Sequence, residues 1–454
     1  MMRLSEAAFA LGVSHQGHNA TFTHVGTDSR QVKEGELFLA LRGLHFDAHQ
    51  YLASAQANGA VAVMVDEQGQ GSVPVGLPFV SVANTRQGLT QLAYAWRTRF
   101  TGSLVGITGS SGKTSVKEML TLILQKSCGQ KVLSTFGNLN NEIGVPLTLL
   151  RLRSEHRYAV VEMGMNHAGE IARLSSLARP DVALINNAGR AHIEHLGSQE
   201  AIARAKAEIY EGLHENAVAV INADDPFAAL WQELAGKRKT LLFGLTPSAA
   251  VWATYELGEQ QSLLRLRTPI GEVELQLAVA GLHNVKNALA ATAVAVALAL
   301  PLEAIAEGLR QYQGVKGRLQ VQAALSGAKL IDDTYNANPE SMRAAIDVLA
   351  RIPGQRILIM GDMGELGQKA QACHAEVGEY AKASGIDHLY TLGLMAQQAG
   401  AAFGVGAEHF DQMTPLLEQV KKQLNPQSTV LVKGSRFMKM ERIVEGLSPV
   451  RDIL

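Results

Sequence analysis

Gly106-Ile107-Thr108-Gly109-Ser110-Ser111-Gly112-Lys113-Thr114 stands between two segments of different hydrophobic period. Before it, Leu104-Val105-Gly106-Ile107 reads as a short buried strand. After it, Ser115 to Leu124, with Val116, Met119, Leu120 and Ile123, reads as an amphipathic helix. A Gly/Ser turn at such a junction lets backbone N–H groups close around phosphate oxygens at a helix N-terminus. Lys113 would then reach the β- and γ-phosphates, and the Thr114 hydroxyl would ligate Mg²⁺. The usual spacing puts the first glycine of such a loop at Ile107, whereas the nearest glycine, Gly106, is one residue early. The expectation is a nucleoside triphosphate site; the bland alternative is a turn before a helix.

Outward from this loop, 454 residues are too many for one ordinary core and predict several domains. A hydrophobic share of 47% with 18% charged residues describes a globular chain rather than a disordered one. A net charge of −1 gives no overall attraction to nucleic acid or to an anionic membrane. Two distant cysteines, Cys128 and Cys373, lack metal-ligand spacing and suit reduced thiols in the cytoplasm. The N-terminus lacks the apolar stretch of a signal peptide. The most apolar run, Ala288 to Leu300, is too short to span a bilayer and reads as a buried helix ended by Pro301.

The pattern predicts three α/β units. Residues 1–83 form a small module with strands at Glu36–Leu41, Ala60–Val65 and Phe79–Val82. Residues 84–314 form a parallel-sheet unit around the phosphate loop, with strands at Leu104–Ile107, Tyr158–Glu162, Val182–Asn186 and Ala217–Asn222. Residues 315–454 alternate again in a Rossmann-like way, with strands at Lys329–Asp332, Arg356–Gly361, His388–Leu392 and Thr429–Lys433, and helices at Pro339–Arg351 and Gln371–Ser384.

Functional side chains of parallel sheets gather at the carboxyl ends of strands. Glu162 ends one strand and suits a Mg²⁺-binding carboxylate. His192 follows another by a few residues, as either a surface loop residue or a functional one. Lys206 borders the apolar stripe Ile202, Ala205, Ile209 and Leu213. It is either a half-buried amine with a lowered pKa or a snorkelling lysine, and spacing alone favours the second. Asn284 and Asn287 share one face at a helix start, and Arg318 sits at a unit junction where domain closure could bring it to a γ-phosphate; helix capping and interdomain contact would explain all three equally. Asp333, Tyr335 and Asn336 suit a ribose and an adenine. The loops Gly361–Gly367 and Lys433–Arg436 offer charges for a second substrate.

Thr108 to Thr114, Glu162, His192, Lys206, Asn284 with Asn287, Arg318 and Asp333, in this order, resemble the Mur ligases of bacterial cell-wall synthesis, whose loop also lacks the first glycine. The likeness covers essentially the whole chain. Gly137-Asn138-Leu139-Asn140-Asn141-Glu142-Ile143-Gly144, Glu162-Met163-Gly164-Met165-Asn166-His167, Asp333-Thr334-Tyr335-Asn336-Ala337-Asn338 and Gly361-Asp362-Met363-Gly364-Glu365-Leu366-Gly367 are most similar to the family member that adds a dipeptide. The resemblance implies that ATP, UDP-MurNAc-tripeptide and D-Ala-D-Ala yield UDP-MurNAc-pentapeptide, ADP and phosphate through an acyl phosphate. The alternative is the sister ligase adding a diamino acid; its Asp-Asn-Pro-Arg tetrapeptide is missing here.

The same resemblance assigns roles. Thr108, Gly109, Ser110, Ser111, Gly112, Lys113 and Thr114 would hold the phosphates, with Asn284, Asn287, Arg318, Asp333, Tyr335 and Asn336 around the rest of ATP. Thr114 and Glu162 would bind one Mg²⁺, and His192 with an N-carboxylated Lys206 a second. Catalytic weight would fall on Lys113, Glu162, His192, Lys206 and Arg318. Ser29, Arg30, Gly43, Asp47 and His49 would hold the uridine end, Asn138 and Asn141 the substrate carboxylate region, and Arg436 the dipeptide. The enzyme would be a cytoplasmic monomer without nucleic-acid partners. A phosphate-loop GTPase or a small-molecule kinase remain rivals, the former disfavoured because no Asn-Lys-x-Asp segment occurs.

Overall fold

A computed structural model of the chain describes residues 1–449. Three large sheets follow one another along it. The first has five strands in the order His15–Gln16, Phe79–Val82, Ala60–Asp66, Glu36–Leu39 and His24–Gly26; it is parallel except at its first strand. The second is parallel throughout, in the order Lys239–Phe243, Val218–Asn222, Val182–Ile185, Ser103–Thr108, Tyr158–Glu162 and Val132–Ser134. The third has an antiparallel edge strand, Gln320–Ala323, and then Lys329–Asp333, Ser428–Lys433, Gln355–Gly361, His388–Leu392 and Ala407–Phe410 in parallel.

The central strands are apolar runs because both faces are covered. Leu104, Val105 and Ile107 are fully buried, as are Val160 and Val161 beside them. Ser103–Thr108 lies in mid-sheet, and the strands on its two sides both come later in the chain. Its carboxyl end is therefore the switch point where a parallel sheet opens a crevice. Ile107 is a buried strand residue, which explains why glycine is not required there. The turn itself is confined to Gly109–Gly112.

One element differs from the alternating pattern read in the sequence. Trp252–Leu257, Ser262–Thr268 and Gly271–Leu277 form a separate antiparallel sheet between the last central strand and the helix Leu282–Ala297. Ser262–Thr268 alternates buried and exposed residues, the period of a sheet with one wet face. The Ala-rich helix is buried as expected and runs from Leu282 to Ala297, with Asn284 and Asn287 in its first two turns.

The phosphate-loop helix Lys113–Cys128 is held from behind by Leu302–Arg310. The two helices touch at Gly308, where a Cβ would stand 2.4 Å from the Ile123 Cα and 2.5 Å from its backbone N. Backbone cannot swing aside as a side chain can. Gly308→Ala should therefore destabilise the chain by about 1–3 kcal/mol through overpacking, despite alanine's better helix propensity, and a denaturant melt would show the lowered midpoint.

Candidate active site

The loop closes over itself in a way only glycine permits at its end. Gly112 caps the helix with φ 77°, and a Cβ there would lie 2.3 Å from Asn287 Oδ1 and 2.5 Å from Asn186 Nδ2. Asn186 in turn donates to Ser111 O (3.0 Å) and to Asn287 Oδ1 (3.1 Å). The neighbouring Asn187 accepts from the Ser110 and Ser111 amides, through its carbonyl (3.0 Å) and its side chain (2.9 Å). Lys113 Nζ donates to Gly109 O at 2.6 Å. Two loop amides and the lysine are thus bonded within the protein.

Thr114 follows, with its hydroxyl at the centre of the site. It donates to Glu162 Oε2 and accepts from Arg318 Nη2, both at 2.8 Å. Glu162 is 2% exposed, and its second oxygen accepts from Asn140 Nδ2 at 2.8 Å. Arg318 lies over the Tyr335 ring, 4.3 Å from its centroid. Asp333 pairs with Lys433 at 2.7 Å and accepts from the Leu319 amide, while Lys433 also donates to Asn336 O.

These groups surround a cavity of about 650 Å³ between the central and C-terminal sheets. That size falls in the range of small-molecule sites. Ser110 to Thr114, Glu162, His192 and Asn141 line one wall with Asn284 and Asn287; Arg318, Asp333, Tyr335 and Asn336 line the other. Thr108 and Gly109 lie just behind, at the strand end. Burial pushes the Lys113 ammonium below its usual pKa, reinforced by Arg318 and opposed by Glu162. Burial also pushes the His283 imidazole down to about 4, so this cavity-lining ring is neutral.

His192 takes a left-handed backbone (φ 64°) and brings Nδ1 within 2.5 Å of Glu365 Oε2. The two atoms are close without the alignment of a hydrogen bond. The paired His192 holds the Glu365 carboxyl below its usual pKa. Glu365 arrives on the 361–367 loop, whose anchors are a Met363 N–H bond to His374 Nε2 (2.9 Å) and a Gly364 N–H bond to Ser435 Oγ (2.8 Å).

Lys206 is not the half-buried residue its place beside the stripe suggested. It is 2% exposed, and no hydrogen bond or ion pair to its Nζ occurs among the described residues. Burial and nearby Lys113 drive its pKa well below the ordinary value, with Asp225 opposing.

Several expected contacts are arranged differently. Asn141 Oδ1 accepts from the Ile143 and Gly144 amides as a turn cap, while Asn138 is exposed. Asn140, between them, reaches Glu162. Asn284 donates to Ala280 O, within its own helix start. Lys433 is 2% exposed and held by Asp333 and Asn336, so it offers no free charge to a second substrate. Arg436 is exposed beside Glu441, outside the cavity lining.

In the N-terminal domain, Arg30 pairs with Asp28, and Ser29 O accepts from Asn58. His49 is buried, with Nδ1 2.6 Å from Asp47 and Nε2 accepting from the Asp66 amide, so the ring pins its loop and has no nitrogen left for a ligand. Asp47 also binds Arg42. The exposed surface of the 43–49 loop is instead Leu44 and a Phe46 ring stacked on Tyr51 at 5.5 Å.

The buried Lys206 amine sets a pH dependence. Below its lowered folded-state pKa the fold must bury a charge. Between that value and about 10.4 the unfolded chain binds the extra proton, so stability rises with pH across this window. Lys206→Met should therefore be more stable than the natural chain near neutral pH, with the gap closing as pH approaches about 10. Denaturation at several pH values in bicarbonate-free buffer measures it.

Residues 21–97 match the Mur ligase family catalytic domain, 107–295 the Mur ligase middle domain and 317–436 the Mur ligase glutamate ligase domain. The chain is 44% identical over 450 residues to the UDP-N-acetylmuramoyl-tripeptide–D-alanyl-D-alanine ligase of Escherichia coli K12, covering 98% of each. It superposes on MurF from Acinetobacter baumannii with a TM-score of 0.90 at 38% identity over 98% of both chains. A Thermotoga maritima MurF ligase solved in complex with ADP gives a TM-score of 0.83 at 30% identity, covering 94% of this chain and 97% of that one. With one cavity joining phosphate loop, acid and arginine, and with matches running nearly from end to end, the chain belongs to the Mur ligase family.

Proposed function

We infer that this chain is an ATP-dependent amide ligase that adds D-alanyl-D-alanine to UDP-N-acetylmuramoyl-tripeptide in peptidoglycan precursor synthesis. The observation that carries the reading is the meeting of the phosphate loop, Glu162 and Arg318 on the Thr114 hydroxyl at the wall of the large cavity. Relatives of that name match almost the whole chain, and one MurF neighbour carries ADP.

The triphosphate displaces Asn187 from the loop amides, and Lys113 leaves Gly109 O to offset charge moving onto the γ-phosphoryl group. The tripeptide carboxylate attacks the γ-phosphorus and ADP leaves. The dipeptide amine then attacks the acyl carbon of the acyl phosphate, loses its proton and expels inorganic phosphate. Asn284, Asn287, Asp333, Tyr335 and Asn336 hold the nucleoside, and Arg318 spans the two walls. We place the uridine end at the 29–49 region of the N-terminal domain, where Phe46 and Tyr51 offer an exposed aromatic pair, and the dipeptide near Arg436.

No group of three or more His, Cys, Asp or Glu residues capable of holding a metal occurs among the described residues. The donor set still fits Mg²⁺, which needs only one or two protein oxygens and fills its shell with phosphate oxygens and water. Thr114 and Glu162 supply those oxygens; bound Mg²⁺ would neutralise charge on the phosphates. His192 and Lys206 would hold a second cation. Lys206 suits N-carboxylation: its neutral amine would add to CO₂ and release a proton, becoming an anion with two oxygen donors. We place the enzyme in the cytoplasm as a monomer; no helix is long and apolar enough to cross a membrane among the described residues.

Phosphate release from ATP should require UDP-MurNAc-tripeptide and D-Ala-D-Ala together, with pentapeptide product by mass. Release that instead needs a diamino acid and the dipeptide precursor would assign the sister reaction. Lys206→Ala should lower the rate by on the order of 100-fold, and added short carboxylates should restore part of it; activity near the natural level without rescue sinks the carboxylated lysine.

A further inference from the structure

The segment Asn186–Arg190 is bonded at one end to the phosphate loop and at the other to the C-terminal domain. At the first end, Asn187 accepts from the Ser110 and Ser111 amides, and the Gly189 amide donates to Ser110 Oγ at 2.9 Å. At the second end, Arg190 crosses the domain boundary. Its backbone N–H and Nε donate to Glu340 (3.2 and 2.7 Å), and Nη1 and Nη2 donate to Glu376 (2.8 and 3.3 Å). Glu340 stands in the first turn of the helix Pro339–Ala350 and lines the cavity; Glu376 lies on the helix Ala370–Ala383 and is also bound by Arg343.

We propose that Arg190 is a positioning residue that latches the C-terminal domain over the nucleotide cavity and couples that latch to occupancy of the phosphate loop. One guanidinium grips two carboxylates on two helices of the opposite domain, a planar, forked recognition that a lysine cannot reproduce. Arg190 keeps only 25% of its side chain exposed, so water and salt screen these pairs less than a surface ion pair. Phosphates seated on the loop compete with Asn187 for the Ser110 and Ser111 amides, three residues from the latch. The coupling is reciprocal: the factor by which bound nucleotide favours closure is the factor by which closure favours nucleotide, so loss of the latch lowers nucleotide affinity.

The inference rests on the nucleotide reading of the cavity, and one experiment separates the two. ADP with Mg²⁺ is titrated calorimetrically into the full chain, its Arg190→Met and Glu376→Gln variants, and the double variant. Small-angle scattering with and without ADP, a thermal melt, and the KM for ATP against kcat accompany it. Arg190→Met should weaken ADP binding by roughly 5- to 100-fold, enlarge the ADP-free radius of gyration and raise KM for ATP more than it lowers kcat, with a single melting transition retained. The double variant should resemble the weaker single variant, because both act on one latch. Unchanged ADP affinity and scattering in Arg190→Met, or losses that multiply in the double variant, overturn the latch while leaving the nucleotide site standing. A natural chain that does not bind ADP overturns both. If Arg190→Met does not fold, Glu376→Gln alone carries the same comparison from the far side of the boundary.

Discussion

One hydroxyl joins the parts of this molecule that must act together. Thr114 sits in the first turn of the phosphate-loop helix, donates to the strand-end acid Glu162 and accepts from Arg318 of the facing wall. A hydroxyl can do both at once because it carries one proton and two lone pairs. Every other group in the cavity is placed relative to that joint. Asn140 fixes the free oxygen of Glu162, Tyr335 supports the guanidinium of Arg318, and Asp333 holds the segment that follows Arg318 through the Leu319 amide. Thr114 and Glu162 are the oxygens that would hold a cation here, with the Arg318 guanidinium beside them on the facing wall.

Cations and carboxylates are packed closely around this joint. Lys113 and Arg318 line the cavity with Glu162 and Asp333, and Lys206 is buried near Lys113 outside the lining. Burial is the larger cause of the lowered pKa of both lysines, with Arg318 adding to it at Lys113 and Lys113 adding to it at Lys206. Lys206 is fully buried, so its charged form is the costly one.

Much of the fold was legible because buried parallel strands are written as apolar runs. Tyr158–Glu162 and His388–Leu392 were read to the residue. The antiparallel sheet at 252–277 was not, since Ser262–Thr268 alternates with charged residues and lacks a turn motif as plain as the phosphate loop. In the site, residues at strand ends were found, as sheet topology demands. What escaped was the part set by three-dimensional neighbours. Arg190, Glu340 and Glu376 are far apart in sequence and individually look like surface charges. Asn140 looked no different from Asn138 and Asn141, and only the direction of its side chain separates them. His49 and Lys433, polar residues in conspicuous motifs, are buried and bonded within the protein.

That pattern has a physical origin. A reacting group must face the cavity, so its position is tied to a strand end or a helix start and leaves a local mark in the chain. A brace needs only the right distance from its partner, and the partner can lie on any element. The site therefore divides into a locally encoded half, the loop Gly109–Thr114 with Glu162, and a half assembled by packing, the contacts of Arg190 with Glu340 and Glu376 and of His192 with Glu365 across the boundary. The first half depends on the central sheet alone. The second exists only with the two domains together.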